Sequence, residues 1–421
     1  MGAVATLLAA TFALGPLFLY PGLGWAALLL GGDGGPLVRL AQAVGMTLLI
    51  VPAVCVLLAT VGLLHPVAVL ASLGIVSVVP LAFPTTRERL AGDLRWLARP
   101  RTLLAAGIGA VVVGAIVIWP SHAQVGPGLL PHNSTVWYYA NLAQLTAESW
   151  RFPGLMVEWG EQRPFHTDYL PVTAHTAAAF QLLPRDLPLS LELYRLAVLA
   201  AGAALAALLF RRWLPAWTAV LAACLLLATT RLDVKFLSYK PETFGLVIGL
   251  FVLWLADRTL AERSLRLGLL SVAGAALVFL SHAEVFLVLG PALLGLAGGH
   301  ALFGEPLAEH VAGGGPRYVL RRRLPAVAIA AGLAAVVFLG GIAAGTAASL
   351  AVTGSGRILG YATSPTTRID PLQPERIPVG WRLTEDPTWD FVIAATRAER
   401  AGAPPPGRRS PLGRFQQVAP D

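Results

Sequence analysis

Side chains able to do chemistry are scarce in this sequence and gather in a few places. The densest run is GEQRPFHTDYLPVTAH, which holds Glu161, Arg163, His166, Asp168, Tyr169 and His175, with Glu158 just before it. A carboxylate there has the chemistry of a general base, and the histidines that of acid/base groups or metal ligands. No spacing in the run matches a zinc motif, and a solvated loop with local ion pairs accounts for the same residues. Prolines at 164 and 171 predict an extended middle rather than a helix. A second group is RLDVKFLSYKPE, residues 231–242, with Arg231, Asp233, Lys235, Lys240 and Glu242. Its lysines suit either lipid headgroup phosphates reached by snorkelling or the phosphate of a lipid-linked substrate. The third is Ser281-His282-Ala283-Glu284, which interrupts two apolar runs. Ionisable groups at membrane depth are costly and functional by default, and a turn that reaches water lowers that cost.

What must position these groups follows from composition. The chain has 421 residues, 56% hydrophobic and 13% charged, with a mean hydropathy of +0.68. Soluble domains carry about 25% charged residues, so repeated apolar runs at half that value indicate a polytopic membrane protein. The net charge of +8 does not point to nucleic acid, because the arginines sit in short clusters between apolar runs, as in cytoplasmic loops. Cys55 and Cys224 lie inside apolar runs and read as buried free thiols, with no disulfide or metal framework. The N-terminal MGAVATLLAATFALGPLFLY lacks the positive start of a signal peptide and reads as a retained span.

A membrane-crossing helix needs about 20 predominantly apolar residues. That rule gives an all-α fold, a polytopic transmembrane helix bundle of about ten spans: 3–20, 37–61, 65–84, 102–119, 192–210, 214–230, 243–256, 266–281, 283–299 and 324–352. Tyr20-Pro21-Gly22 is expected to end the first, leaving Leu23–Leu30 at the interface. The last is longer than needed and glycine-bearing, so tilt or a break is expected. Four arginine clusters then fall on one side: Arg87 to Arg101, Arg211 with Arg212, Arg258 to Arg266, and Arg317 to Arg323. That side is cytoplasmic, which puts the N-terminus, 120–190, 231–242, the turn at His282 and the tail outside.

The large outer loop 120–190 is expected to carry interfacial helices. In VWYYANLAQLTAESW, Val136, Tyr139, Leu142, Ala143, Leu145 and Trp150 share roughly one helical face, and Trp137, Tyr138 and Tyr139 suit the membrane–water boundary. The tail 353–421 is polar and rich in Pro and Arg. Its end reads as disordered, and PVGWRLTEDPTWDFVIAATR as a short helix on the membrane surface. The chain divides into an N-terminal three-span region with its cytoplasmic loop (1–101), a membrane core (102–352) and the tail (353–421). It ends without another span, as a shortened form of a longer protein would.

This arrangement resembles the GT-C integral membrane glycosyltransferases. The carrying segments are HNSTVWYYANLAQLTAESWRFP, FHTDYLPVTAHTAAAF and GAALVFLSHAEVFLVLGPALLGLA, which are similar to the family's acid–aromatic helix, its Tyr-Pro…His stretch and its later span pair broken by a Ser-His turn. The resemblance covers roughly 102–300. It implies transfer of a sugar from a polyprenyl-phosphate donor to a cell-envelope acceptor at the outer face of the plasma membrane, with membrane lipids and that donor as partners. It also implies an acid shortly after the first core span, acting as general base. Between Pro120 and Ala147 there is neither Asp nor Glu, and Asn133 stands at the matching place. An amide cannot take the proton, so the role falls to Asp168 or Glu148, with His132 as a further base. Asp168 as base and Lys240 as phosphate partner are the first choices. Glu161, His166, Tyr169, His175, Glu242, His282 and Glu284 complete the expected substrate-binding set. The fold admits a divalent metal, and nothing in the sequence specifies one. Two other functions fit the same chain. A transporter or flippase of lipid-linked substrates would want polar spans and internal repeats, which are not evident. An inactive scaffold of cell-envelope assembly would account for the absent acid.

Overall fold

A computed structural model describes residues 12–30, 35–113, 115–116, 134–152, 155–158, 161–164, 169–183, 187–228, 241–303, 316–353 and 367–368. Helices dominate. The N-terminal part comprises α1 (Tyr20–Leu29), α2 (Gly35–Thr60), α3 (Pro66–Val78), α4 (Pro84–Leu97) and α5 (Pro100–Val113). Next come α6 (Ser134–Ser149), a hairpin of β1 (Leu155–Glu158) and β2 (Glu161–Pro164), and α7 (Leu170–Leu182). The rest comprises α8 (Leu187–Phe210), α9 (Ala216–Leu227), α10 (Pro241–Glu262), α11 (Leu265–Ser281), α12 (Ala283–Phe303), α13 (Pro316–Thr353) and β3 (Thr367–Arg368).

Among the described residues, five helical stretches are long and apolar enough to cross a membrane: Phe12–Leu29, Gly35–Thr60, Ser190–Phe210, Pro241–Glu262 and Val327–Val352. The pair Pro66–Ala82 with Pro84–Leu97, bent by 103°, meets the same criterion only when its two helices are taken together, as a broken span or a re-entrant loop. The bend falls at Phe83, whose ψ of 123° is extended, because the ring of Pro84 crowds a helical conformation at the residue before it. The sequence expectation was ten spans. Ala216–Leu227, Leu265–Ser281 and Ala283–Gly299 are shorter apolar stretches among the described residues. The outer surface stays apolar, with Val67, Val111, Leu265 and Ile329 at 71, 71, 79 and 68% exposure. Surfaces of that kind are costly in water and suit lipid.

The first span departs from expectation in an informative way. Tyr20-Pro21-Gly22 does not end it; the backbone kinks at Leu19 (φ −139°) and the helix restarts, with Pro21 in its first turn. Pro21 has no N–H to give to the carbonyl four residues back. That carbonyl, Leu17 O, accepts instead from His175 Nε2 at 3.1 Å. Thr47 on α2 supports the same kink. Its hydroxyl accepts the Gly22 N–H at 2.9 Å and shares its own proton between Leu19 O (3.0 Å) and Ala43 O (2.8 Å). In lipid no water can satisfy a freed backbone group, so side chains must. Gly22, Gly24, Ala26 and Ala27 are buried within the bundle.

Helix directions sort the bundle into two ends. Leu17 and Phe18 meet His175 and Tyr194 (near the start of α8), and the His175 ring lies 5.1 Å from that of Phe244 at the start of α10, tilted by 43°. From there α1 runs to Ala27, whose carbonyl accepts from Arg89 Nη1 at 2.6 Å. Antiparallel α2 brings Arg39 back to Asp93 of α4, at 2.9 Å. The far ends of α8 and α10 meet as Arg212 and Asp257, 3.4 Å apart. Arg39, Arg89, Arg212 and Arg258 therefore share one end, and His175, Glu242 and His282 the other. The segment 85–101, read as a loop, is largely the helix α4. A short three-stranded sheet, β1-β2-β3, was not anticipated. In it Glu161 pairs with Arg368 and Gln162 with Thr367, so the tail returns to the hairpin after α6.

Two elements of the supposed outer loop also differ from expectation. Glu161–Pro164 is a strand, and residues 165–168, the rest of the stretch expected to be extended before Pro171, lie outside the described residues; Pro171 itself opens a helix. It sits in the first turn of α7, where a missing N–H leaves no gap. Leu170 to Ala179 are all buried, so α7 is an internal helix. Packing on α7 turns α6 so that Ala140, Leu142, Ala143, Thr146 and Ala147 are buried, while Trp150 is exposed. Gln181 ties this layer together: its Nε2 donates to Leu64 O at 2.6 Å and Ala147 O at 2.8 Å. Gln181→Leu removes both bonds and strands both carbonyls, and is expected to destabilise by about 1–3 kcal/mol; thermal unfolding in detergent reads this. The last helix, α13, runs unbroken over 38 residues. Its Gly341 lets α11 approach closely, since a Cβ there would lie 2.7 Å from Ala275 Cβ.

Candidate functional site

At the end opposite Arg39, Arg89, Arg212 and Arg258, three helix termini converge. Glu242 lies in the first turn of α10, and Glu284 in the first turn of α12. Carboxylates are favoured at both places by the partial positive charge of a helix N-terminus. His282 is the single residue between α11 and α12, in extended conformation (φ −168°, ψ 116°). Its N–H donates to Val278 O at 2.9 Å and its carbonyl accepts from Phe286 N at 3.1 Å, so one residue closes one helix and opens the next. That double role fixes the backbone from which the imidazole projects. His282 Nε2 stands 3.5 Å from Glu242 Oε1, with side chains 11 and 17% exposed. Glu284 is exposed, so the group opens to solvent on its side. Ligand atoms of Glu242, His282 and Glu284 all lie within 4.8 Å of one another. Gly245, one turn along α10, packs against the same turn: a Cβ there would meet Val285 Cγ1 at 3.5 Å and Ser281 Cβ at 3.7 Å, ordinary contact distances.

Aromatic rings border the group. Tyr169, just ahead of α7, has its ring 6.2 Å from His282 and 5.1 Å from Tyr139 of α6. Beneath lies a polar layer within the bundle. His175 is fully buried, its Nε2 donating to Leu17 O, its Nδ1 2.8 Å from the Tyr194 hydroxyl. A carbonyl only accepts, so Nε2 carries the proton, and in the neutral ring Nδ1 accepts from Tyr194. Glu192 and Arg195 form a two-pronged ion pair at 2.5 and 2.8 Å, both buried. Sequence reasoning missed this pair. Its signal was two ionisable residues three apart inside the apolar run LSLELYRLAV, and removing either would leave an uncompensated buried charge.

The sequence-predicted residues distribute as follows. Tyr169, Glu242, His282 and Glu284 come together, and His175 lies beneath them with both nitrogens engaged by protein groups. Glu148 is exposed near the end of α6, accepting from Gln144 Nε2 at 2.8 Å, roughly 13 Å along the helix from Tyr139. Glu161 lies on β2, cross-strand from Glu158. His132, Asn133, His166, Asp168 and Lys240 lie outside the described residues. Asp168 directly precedes Tyr169, however, and Lys240 directly precedes Pro241-Glu242. Comparison with protein-family models, with curated proteins and with solved structures finds no match to this chain.

Proposed function

We propose that this protein is a membrane glycosyltransferase of the GT-C type, moving a sugar from a polyprenyl-phosphate donor to a cell-envelope acceptor at the outer face of the plasma membrane. The observation that carries this reading is the meeting of Glu242, His282, Glu284 and Tyr169 at one end of an apolar bundle, opposite the arginine-bearing end. On this reading the arginine end is cytoplasmic, and 120–190 and the tail are extracytoplasmic. A lipid-linked donor would keep its chain along the apolar helices and its phosphate and sugar at the polar end.

The reaction is a displacement with inversion. The acceptor oxygen attacks the anomeric carbon as the bond from that carbon to the phosphate oxygen breaks, and the phosphate keeps the electron pair. Asp168, chain neighbour of Tyr169, takes the hydroxyl proton, and Lys240, close before Glu242 in the chain, faces the leaving phosphate. An inactive scaffold is the second reading, favoured by Asn133 where the family has an acid.

Purified protein in liposomes, given labelled polyprenyl-phosphate sugar and a lipid acceptor, separates the two. Transfer is expected, and Asp168→Asn is expected to lower it by about 100-fold or more. Undiminished transfer in Asp168→Asn removes that residue from the mechanism, and no transfer by the wild type leaves the scaffold. Topology has its own check. A reporter active only in the cytoplasm, fused near Gly154, is expected to stay silent; a signal there reverses the orientation.

A further inference from the structure

We infer that Glu242, His282 and Glu284 form a binding site for one divalent transition-metal ion of the Mn²⁺ or Zn²⁺ class. Among the described residues this is the group of His, Cys, Asp and Glu side chains whose ligand atoms come close enough to share an ion. Donors bound to one ion at about 2.1 Å lie about 3.4 Å apart in a tetrahedral site and up to about 4.2 Å apart when trans in an octahedral one. The present 4.8 Å limit therefore closes by about 0.6 to 1.4 Å on binding, depending on geometry, a shift that the torsions of two glutamate side chains can supply. One imidazole nitrogen with two carboxylates selects the class. Mg²⁺ and Ca²⁺ prefer oxygen alone, and thiolate-seeking ions find no sulfur here.

The framework is that of a site rather than a chance meeting. His282 is held from both sides by backbone hydrogen bonds to Val278 and Phe286. Glu242 comes from a separate helix, packed against this turn through Gly245. His282 is buried and Glu284 exposed, giving a fixed base and an open side by which an ion enters. The three protein donors leave coordination positions for water or a substrate oxygen. Two carboxylates alone would repel a donor phosphate, and a dication between them removes that repulsion. This last role rests on the proposed function; the metal site itself does not.

The test uses the full-length protein in detergent, stripped with chelator and titrated with Mn²⁺ in the absence of any donor. Expected are one bound Mn²⁺ per chain and, with ¹⁵N-labelled histidine, an imidazole nitrogen coupling in the pulsed paramagnetic-resonance spectrum. Glu242→Gln combined with Glu284→Gln is expected to weaken binding by more than about 100-fold, beyond the loss seen when only a supporting group is removed. Glu262→Gln, at the arginine end, is expected to bind like the wild type. Wild-type protein that binds no Mn²⁺, binds it without nitrogen coupling, or is matched by the double variant overturns the site. Mn²⁺ bound without sugar transfer would instead count against the proposed function alone.

Discussion

Glu242→Gln is expected to lower sugar transfer by about 100-fold, the scale of losing one fixed electrostatic partner of the reacting groups, while the protein stays folded. The replacement keeps the size of the side chain and its reach toward His282 Nε2, now 3.5 Å away, and removes the charge. Glu242 is largely buried, 17% exposed, in the first turn of α10, and the near-isosteric amide keeps its packing. The comparison that gives the result meaning is Glu148→Gln. Glu148 is exposed, bonded to Gln144 on its own helix, and should leave transfer near the wild-type rate if Asp168 is the base. Equal rates for Glu242→Gln and wild type, with unchanged melting, would take the polar end of α10 out of the chemistry.

Gly22→Ala is expected to be the most damaging single methyl in the described bundle, costing about 3 kcal/mol through overpacking. The added carbon would lie 1.9 Å from Ala43 O and 2.4 Å from Thr47 Oγ1. Neither neighbour can retreat easily: one is helix backbone, and the other is the hydroxyl that repairs the kink before Pro21. The bundle therefore loses the close α1–α2 approach and the local hydrogen bonding together. Small residues serve this purpose in membrane helix pairs generally. Gly74→Ala on α3 is the contrast, because nothing lies within 4 Å of a carbon added there. Helix propensity alone then gives a gain of up to about 1 kcal/mol. Unfolding of the two variants in the same detergent reads the difference directly; a Gly22→Ala protein as stable as Gly74→Ala would mean that the helices do not pack as described.

The membrane class, the helical fold and the polar character of Ser281-His282-Ala283-Glu284 were legible in the sequence because each rests on contrast: an ionisable pair inside apolar runs, or arginines between them. The burial of Cys55 and Cys224 followed for the same reason. Span counting was less informative. It measures apolar length, so it stopped at Tyr20-Pro21-Gly22, where the structure keeps a helix by lending it hydrogen bonds from Thr47 and His175. Those partners lie 28 and 158 residues from the carbonyls they serve, and no local pattern reveals them. The segment LPVTAHTAAAFQL was misjudged for a related reason. Its Ala and Thr residues give modest hydropathy, yet they are small enough to seat α7 inside the bundle. Glu242 was visible as an acid beside lysines, but its approach to His282 depends on the α10–α11 hairpin, which closes at Arg263 (φ 52°), far from the site. The Glu192–Arg195 pair went unremarked because its two charges are i, i+3 neighbours that cancel within a span.

The most direct measurement is a map of where a lipid-linked donor binds. A polyprenyl-phosphate analogue carrying a diazirine beside the phosphate would be photolysed with the membrane-embedded protein, and the labelled peptides identified by mass spectrometry. The expected result is labelling confined to 169–175, 241–245 and 281–285, abolished by excess unlabelled donor. Labelling confined to the other end of the bundle, around Arg39, Arg89, Asp257 and Glu262, or labelling that excess donor leaves untouched, would contradict the proposal that the polar end holds the reacting groups.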